Sequence, residues 1–390
     1  MKERWKVKPL GELCDVLDYK RMPITKRDRE AGEYPYYGAT GILDYVSGYL
    51  FDEPLVLVGE DGAKWGSGEN TAFAVDGKIW VNNHAHVLRP HRSTLLDRWL
   101  IYFLNYSDLA EFVSGLTVPK LNQGSLREIP IPFPPPDEQQ RIVALLDEAF
   151  EPLATAKANA EQNLQNASAL FESQLESVFS QPGEEWTEAT VEEIAAPSKG
   201  AIRTGPFGSQ LLHSEFVDEG IAVLGIDNAV SNEFRWGKDR FISQEKYLQL
   251  ERYTVYPGDV LITIMGTCGR CAVVPDDIPT AINTKHICCI TLDKAKCLPE
   301  YLHIYFLHAP GSREHLAKHA KGAIMEGLNM GIIKELPVYL PPIHAQAEII
   351  MEARDFRRGA QHLTSIYERK LAALEDLKTS LLHQAFNGEL

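Results

Sequence analysis

The chain has 390 residues, 44% of them hydrophobic, which is enough for two cores of ordinary domain size. No apolar run approaches the roughly 18 residues that a membrane-spanning helix needs, and six cysteines do not make a disulfide framework in a chain this long. The charged first nine residues lack an apolar signal region. A net charge of −15 argues against nucleic-acid binding by charge alone. We expect a reduced, soluble, cytoplasmic protein.

Residues 1–135 are predicted to form a mixed α/β domain. Short β-branched or aliphatic runs at 54–58 and 78–81 lie between Gly, Pro and Asn turns, which is the pattern of strands. The stretch 95–111 has helical spacing. Although the whole chain is acidic, this segment is nearly neutral, and no segment is basic.

Residues 136–182 are predicted to form a long helical arm. The arm follows a Pro-rich break, and Asp137 with Gln140 gives a capping-box pattern at its start. Apolar residues then recur about every 3.6 positions, the period of one helix face. An arm of about 43 residues is roughly 65 Å long. Pro152 weakens the middle of this helix, so we expect a kink there.

Residues 183–390 repeat this organisation, with a second mixed domain at 183–342 and a second arm at 343–390. Residues 121–130 read LNQGSLREIP and residues 328–337 read LNMGIIKELP, an offset of 207 that continues through the arms. Further back the offset is smaller, because the second copy has grown in its middle. There the matched residues are Tyr102-Phe103-Leu104 with Tyr305-Phe306-Leu307, and Asn83 and His86 with Asn283 and His286. Strands are predicted at 260–264 and 286–290, and a helix at 299–318.

The apolar stripe of each arm cannot be buried by one helix alone, whereas two helices can bury it against each other. Two tandem copies have pseudo-two-fold symmetry if the arms are antiparallel. Gly359 stands where the first arm has Pro152, so the kink is expected in both. The predicted fold class is α+β, with two mixed α/β domains separated by an antiparallel helical coiled coil. The residues predicted for the coiled coil or a subunit interface are Ile142, Leu146, Leu153, Leu164, Leu170, Ile349, Phe356, Leu363, Leu371, Leu374 and Leu381.

Several motifs together resemble the specificity subunit of type I restriction–modification systems. A Leu-Asn-x-Gly sequence, a hydrophobic–Pro run and Pro-Pro-x-x-x-Gln at a helix start occur at 121–139 and, in part, at 328–346. Residues 36–41 (YYGATG), 59–63 (GEDGA) and 203–209 (RTGPFGS) also resemble this family. The likeness covers essentially the whole chain. The second copy departs from it at 343–346, where Ile-His-Ala-Gln replaces Pro-Asp-Glu-Gln.

The resemblance implies two target-recognition domains on double-stranded DNA and two spacer helices that set the distance between half-sites. It also implies that the helices dock two methyltransferase subunits, which bind S-adenosylmethionine, and that an ATP-dependent restriction and translocase subunit, with Mg, joins them. This chain itself is expected to carry no cofactor, no metal and no catalytic centre. Partner subunits that enclose the DNA would supply the basic surface that this chain lacks.

Candidate DNA contacts are basic, amide and hydroxyl side chains near predicted turns, because these groups bind phosphates and base edges. The densest basic cluster, beside the turn at 34–41, is predicted to contact phosphates. In the first domain the candidates are Lys20, Arg21, Lys26, Arg27, Tyr37, Lys64, Trp65, Asn83, His84 and Lys120. In the second they are Arg203, Thr204, Ser209, Gln210, Asn283, Lys285, His286, Lys318 and Lys321. Asn122 and Asn329 are interpreted as helix N-caps, and the repeated Asn-x-x-His is equally well explained as part of a strand.

No motif predicts chemistry in this chain. It lacks a Gly-x-x-x-x-Gly-Lys-Ser/Thr phosphate loop and an Asn-Pro-Pro-aromatic tetrad, and no nucleophile elbow accompanies His84 and Asp61. Cys268 and Cys271 have zinc-ligand spacing, but a second pair at finger-like spacing is missing, so buried small hydrophobes are the preferred interpretation. The alternative functions are a coiled-coil scaffold with two protein-binding heads, and a nuclease that uses Asp61 with Lys64.

Overall fold

The computed structural model describes residues 5–115, 117–320 and 328–390. The chain divides into two compact units, Met1–Gln162 with Tyr367–Leu390 as unit 1 and Asn163–Ile366 as unit 2. We call the part of unit 1 before residue 136 head 1, and residues 183–342 of unit 2 head 2. Each unit also contains one half of each of two long helices.

The first half of the chain contains short strands and helices of up to ten residues, followed by one long helix. In chain order they are β1 (Lys6–Pro9), α1 (Leu10–Leu13), β2 (Cys14–Val16), β3 (Ala31–Gly38), β4 (Gly41–Val46), β5 (Phe51–Asp52), β6 (Leu55–Gly59), β7 (Ala72–Val75), β8 (Lys78–Val81), β9 (Ala85–Pro90), α2 (Asp97–Tyr106), β10 (Val113–Ser114), β11 (Lys120–Leu121), α3 (Gln123–Glu128), β12 (Pro130–Phe133) and α4 (Pro136–Ser180). Single 3-10 turns lie at Asp18–Lys20, Lys26–Asp28 and Ala110–Phe112.

Two four-stranded sheets form head 1. One is antiparallel in the order β2-β9-β6-β7, and the other is mixed in the order β4-β3-β8-β5, with β3 parallel to β8. All five residues of β6, Leu-Val-Leu-Val-Gly, are buried, which explains why this strand reads as a continuous apolar run rather than an alternating one. The core continues from these sheets onto α2, where Trp99 is fully buried.

Head 2 repeats the plan with more connecting chain. Its elements, and the helix that follows, are β13 (Thr187–Thr190), α5 (Val191–Ile194), β14 (Ile202–Thr204), β15 (Phe216–Val217), β16 (Ile221–Leu224), β17 (Phe241–Ile242), α6 (Gln244–Leu250), β18 (Thr254–Val255), β19 (Val260–Thr263), β20 (Cys271–Val273), β21 (Ala281–Asn283), β22 (Ile287–Ile290), α7 (Pro299–His308), α8 (Pro310–Ala320), α9 (Met330–Lys334), β23 (Pro337–Leu340) and α10 (Ile343–Phe386). Single 3-10 turns lie at Gly208–Gln210, His213–Glu215, Ile226–Asn228 and Glu251–Tyr253.

The sheet β14-β22-β19-β20 of head 2 corresponds to β2-β9-β6-β7 of head 1, and β15-β17-β16-β21-β18 corresponds to the mixed sheet. The four predicted strands are present within one or two residues of their expected bounds. The helix predicted at 95–111 ends at Tyr106. The one predicted at 299–318 is broken before Pro310, because a proline disfavours helical geometry in the residue that precedes it.

The helices α4 and α10 run antiparallel within each unit. In unit 1, Lys157 of α4 lies 3.3 Å from Glu375 of α10; in unit 2, the Arg357 guanidinium lies 5.6 Å from the ring centre of Phe171. Helix α4 begins at Pro136, so Asp137 lies in its first turn and the prediction of Asp137 as N-cap is wrong. Proline fits the first helical position because its missing N–H has no acceptor there. The expected kink stays a prediction.

The predicted arm residues have different surroundings. Ile142 and Leu146 are fully buried, in a cluster that contains both side chains of head 1 and Leu382 and Ala385 of α10. Leu170, Phe356 and Leu363 are 54%, 37% and 36% exposed. The described part of this chain therefore leaves them accessible to another chain. The half-buried members are Leu153, Leu164, Ile349, Leu371, Leu374 and Leu381.

A buried glutamine joins each long helix to its head in the same way. Gln139 accepts a hydrogen bond from the Leu96 N–H at 2.9 Å and donates to the Thr94 and Pro134 carbonyls at 2.7 and 2.8 Å. Gln346 makes the matching bonds with Leu298 N–H and with the Lys296 and Pro341 carbonyls, each at 2.9 Å. Because every polar group of these side chains has a partner, both glutamines can be fully buried.

Candidate nucleic-acid interface

Four chain segments of head 1 converge on one face, which we call reading surface 1: residues 18–24, 38–41, 59–64 and 82–84. Backbone hydrogen bonds join these segments, or the strand residue directly before them, from Met22 N–H to Val81, from Asn82 N–H to Tyr37 and from Glu60 N–H to His84. Lys120 reaches the same face through a bridge between its backbone and that of Asp61. The strands therefore bring together turns that lie far apart in the sequence.

A buried charged network lies beneath reading surface 1. His86 is fully buried, with Nδ1 2.6 Å from the Asp18 carboxylate and Nε2 2.7 Å from the Leu121 carbonyl. The Arg21 guanidinium is ion-paired with Glu60 and lies 3.3 Å from Asp18. Gln123 donates to Asp18 at 2.9 Å.

Burial works to raise the pKa of Asp18, but hydrogen bonds from His86 and Gln123 outweigh it and hold that pKa below its ordinary value. The pKa of Glu60 is lowered in the same way, against burial, by Arg21 and Lys120. Ligand atoms of Asp18, Glu60 and His86 lie within 4.8 Å of one another, a donor set of the kind that holds a metal ion. Arg21 already supplies the positive charge that balances these carboxylates, so we interpret the cluster as structural.

The predicted contacts of head 1 fall into two groups. Lys20, Lys26, Arg27, Lys64, Asn83 and His84 are exposed. Arg27 is 95% exposed and lies 3.8 Å from Asp28, and Lys64 is 80% exposed and lies 3.5 Å from Glu69. Ion pairs this exposed are weak, so both cations can approach a phosphate. Lys120 is half-buried, 2.9 Å from Glu60 and 3.9 Å from Asp61, and His84 contacts Asp61. These two carboxylates weaken the attraction of Lys120 and His84 for an anion.

Three predicted residues of head 1 have structural surroundings instead. The Arg21 guanidinium is 13% exposed and bonds to Glu60 and to the Ala85 carbonyl, so the structure does not favour a phosphate contact there. Trp65 is buried and donates to the Gly59 carbonyl at 3.0 Å. Tyr37 is half-buried with its ring 6.0 Å from that of Phe73. Sequence reveals a charge or an aromatic ring, but it does not reveal an internal partner.

Reading surface 2 is the equivalent face of head 2, formed by residues 204–210, 225–240, 263–269 and 284–286. Two of its backbone bonds match those of head 1, from Thr284 N–H to Leu224 and from Ile264 N–H to His286, and a further bond runs from Gly205 N–H to Thr284. A side chain on Gly205 would begin 2.0 Å from the Asn283 carbonyl oxygen, so glycine is required where these two segments cross.

Positive charges gather on reading surface 2. Burial lowers the pKa of His286, and the nearby cations Lys285 and Arg240 lower it further. Lys285 and Thr204 are half-buried, while Ser209 and Gln210 are exposed. The Gln210 side-chain oxygen accepts a hydrogen bond from Tyr253 at 2.9 Å. This group of side chains combines cations with hydroxyl and amide groups, as DNA-backbone contacts do.

Arg203 and Asn283 do not face solvent. The Arg203 guanidinium is 8% exposed, lies 2.5 Å from the Asp259 carboxylate and donates to the Thr254 carbonyl. Asn283 is fully buried and donates to the Ile287 carbonyl at 3.0 Å. We therefore leave both out of the proposed DNA contacts. Lys318 is exposed near the end of α8, and Lys321 lies outside the described residues.

The structure corrects the alignment of the repeat between residues 82 and 106. His84 and His286 accept equivalent backbone bonds, and Ser107 and Ala309 donate equivalently to Phe103 and Tyr305. The match of Tyr102 with Tyr305 is therefore one residue out of register. The match of Asn83 and His86 with Asn283 and His286 is wrong by two residues, because strand pairing places Cys288 where head 1 has His86. Asn122 and Asn329 both lie at the N-cap position as predicted. The Asn329 side chain accepts a hydrogen bond from the Ile332 N–H, whereas the Asn122 side chain donates to Ser114 and does not cap its helix.

Cysteines of head 2 behave as small apolar side chains. Cys271, Cys288, Cys289 and Cys297 are buried, and burial raises the pKa of the Cys288 and Cys297 thiols to about 12. The preferred interpretation of the buried cysteines therefore holds for these four, whereas Cys268 is only partly buried.

Comparison with known proteins identifies the family. The model of the type I restriction modification DNA specificity domain matches residues 2–165 and 220–357. The chain belongs to this family. S.HindORF215P of Haemophilus influenzae, provisionally named a type I restriction enzyme specificity subunit, is 30% identical over 88% of this chain and 85% of its own length. The EcoBI specificity subunit of Escherichia coli is 25% identical over 71% of this chain and 62% of its own length.

Solved structures share the fold of this specificity subunit. A chain from a study of complex assembly and conformational transition in the type I R-M system matches with a TM-score of 0.73 at 18% identity, over 100% of this chain and 99% of that chain. The HsdS subunit of Thermoanaerobacter tengcongensis matches with a TM-score of 0.55 at 17% identity, over 100% and 98%. The chain is thus a non-catalytic specificity subunit that recognises a DNA target. Among the described residues, no helix is long and apolar enough to cross a membrane.

Proposed function

We propose that the two heads read two different half-sites of a bipartite, asymmetric double-stranded DNA target. The observation that carries this proposal is the pair of reading surfaces, which have the same backbone plan and different side chains. A duplicated domain whose copies have diverged on the contacting face is suited to two unlike sequences. Exposed Lys20, Lys26, Arg27 and Lys64 would contact phosphates in head 1, and Lys285 with Ser209 would do so in head 2.

The helices α4 and α10 are proposed to set the spacing between the half-sites and to dock two methyltransferase subunits. Exposed Leu170, Phe356 and Leu363 support a docking role, because large apolar side chains on a helix surface are typical of interfaces. S-adenosylmethionine, ATP and Mg would be bound by the methyltransferase and restriction subunits, with none bound by this chain. The complex would act on DNA in the cytoplasm, and basic partner surfaces would compensate for the net charge of −15.

The experiment that tests this function is methylome sequencing of a host that expresses the chain with its genomically adjacent methyltransferase, against a strain without the chain. New N6-methyladenine at a split, asymmetric motif is the expected result, and it would reveal both half-sites. Unchanged methylation by an assembled complex would contradict the proposal and favour the protein scaffold.

A second experiment tests the role of the long helices. If a split motif is found, removing one helical turn from both α4 and α10 should change the spacer of the motif while both half-sites stay the same.

A further inference from the structure

The two heads differ most at the tip of one β-hairpin. In head 1, β3 and β4 pair up to Gly38 and Gly41, so the tip is a tight turn at residues 39–40. In head 2, β16 and β17 form the equivalent hairpin, because β16 runs parallel to β21 as β3 does to β8. Its strands are joined by residues 225–240, which we call the tip segment.

The tip segment is braced by its own side chains. The Asp227 carboxylate accepts from the Lys238 N–H at 2.6 Å and from the Arg240 guanidinium at 2.5 Å. Asn228 accepts from the Gly225 N–H at 2.8 Å and donates to the Arg235 carbonyl at 2.9 Å. These four bonds fix the backbone, so little conformational entropy remains to be lost when the segment binds a partner.

The four hydrogen bonds of Asp227 and Asn228, which we call the brace, leave three large side chains of the tip segment facing solvent. Trp236 is 58% exposed, Arg235 is 67% exposed and Lys238 is exposed as well. Arg235 lies 3.2 Å from Glu233, but an ion pair at the surface is screened by water and is readily exchanged. Lys238 uses its backbone in the brace and keeps its ammonium free. A rigid loop with free donors and an aromatic ring is suited to specific recognition.

The tip segment also lies on reading surface 2. Ile226 packs beside Gly266, where an added Cβ would be 3.1 Å from the isoleucine side chain. Arg240, at the end of the segment, is close enough to His286 to lower its pKa. Both ends of the segment therefore lie on reading surface 2.

The middle of the tip segment contacts α7 and α10, where His303 lies 2.8 Å from the Asn232 carbonyl and Arg357 lies 3.2 Å from Glu233. Arg235, Trp236 and Lys238 lie in the return half of the segment, between these contacts and Arg240.

We propose that the tip segment reads base pairs of the second half-site. Arg235 and Lys238 hydrogen-bond to base edges, and Trp236 packs against bases or a thymine methyl group. This inference rests on the proposed function. The strands around the other turns are arranged alike in the two heads. If the heads recognise different sequences, the residues responsible are best sought in the tip segment, where the heads differ in length, charge and shape.

The test uses the complex of this chain with its methyltransferase and compares methylated motifs for Arg235→Ala and Lys238→Ala. Neither substitution removes a bond of the brace, so the fold of head 2 is retained. Discrimination at one or two base pairs of the second half-site should fall by about 5- to 150-fold, with the first half-site unchanged. Lys294→Ala is the matched control, an exposed lysine next to Gly258 and Pro299, and should change neither half-site.

A second variant moves the tip without removing a contact group. At Gly237 an added Cβ would lie 1.9 Å from an Asp227 carboxylate oxygen, so Gly237→Ala must displace either that carboxylate, which holds the Lys238 N–H and Arg240, or the backbone. The second half-site should relax while the first keeps its sequence. If the wild type yields a split motif and the two side-chain variants keep full discrimination, the inference is wrong. A uniform loss of methylation across all sites would also overturn it, because it would indicate phosphate or protein contacts. If the wild type gives no new motif, the proposed function itself fails.

Discussion

The two heads have the same strand plan but place their buried charges at different positions. Head 1 has one buried network of Asp18, Glu60, His86 and Gln123. The strand register and the sequence repeat give the equivalent positions of head 2, which are, in the same order, Thr204, Ile264, Cys288 and Met330. Conversely, head 2 has the buried ion pair Arg203–Asp259. At the equivalent positions head 1 has Leu17 and Leu55, packed in one apolar cluster.

This exchange indicates that neither network is a requirement of the fold. Each set of charges occupies a place that the other head fills with apolar or small side chains, while the pairing of the surrounding strands is the same in both heads. By contrast, Gln139 and Gln346 keep all three bonds in both units. The junction of head and helix is thus more constrained than the interior of the heads.

The largest expected effect comes from breaking the ion pair of head 2. Arg203→Leu would leave Asp259, which is 1% exposed, without its main cation, at a cost of about 3–5 kcal/mol. Adding Asp259→Leu would recreate the Leu17–Leu55 pair of head 1, and we expect it to recover most of the loss. The measurement is hydrogen exchange of amides in β19 and β22, which reports on head 2 alone.

Arg252→Leu is the control for this double replacement, since it also exchanges an arginine of head 2 for leucine but at an exposed position. Its effect should stay within about 0.5 kcal/mol. If the double variant were as unstable as Arg203→Leu alone, the apolar pair of head 1 could not substitute for the ion pair. The comparison between the heads would then fail at this position.

The sequence predicted the architecture well because the arms carry strong periodic signals. An apolar stripe of period 3.6, bounded by prolines and by a C-terminal Asn-Gly, indicates a helix directly, and the observed bounds are Pro136–Ser180 and Ile343–Phe386. The heads were less predictable. Residue identity aligns His86 with His286. The backbone hydrogen bonds show instead that His84 and His286 occupy equivalent positions, and such bonds cannot be read from residue identity.

The candidate contacts show a similar limit. Arg21 and Arg203 were selected because they are basic and lie near turns, yet both are paired inside the heads. The carboxylates that bind them lie 39 and 56 residues away in the sequence. Arg235, Trp236 and Lys238 were missed, although the growth of the second copy in its middle was visible and marked this segment.

We expect a smaller difference between the two heads in how their stability falls at acidic pH. In the folded state the pKa values of Asp18 and Glu60 are lowered from their ordinary values of 3.8 and 4.5. Their contribution to stability is therefore present above those unfolded-state values and is lost as the pH falls through the folded ones. Amide protection in β6 and β9, corrected for intrinsic exchange rates, should decline below about pH 4 more steeply than in β19 and β22. Asp18→Asn should reduce the steepness in head 1. An equal decline in both heads would show that the network does not set the acid response.

The smallest effect concerns a salt bridge whose sign is reversed between the units. Arg98 of α2 pairs with Asp147 of α4, whereas at the equivalent positions Glu300 of α7 pairs with Arg354 of α10 at 3.3 Å. Both pairs are largely exposed, so each is worth about 0.2–1 kcal/mol. We expect Arg98→Glu to lower the stability of unit 1 by that amount, and the double replacement Arg98→Glu with Asp147→Arg to restore it. The measurement is a double-mutant cycle based on hydrogen exchange of amides in α2. Recovery would mean that attraction between head and helix is required but its polarity is not. Failure to recover would point to the Tyr102 hydroxyl, which also bonds to Asp147, as the group that fixes the orientation of the charges.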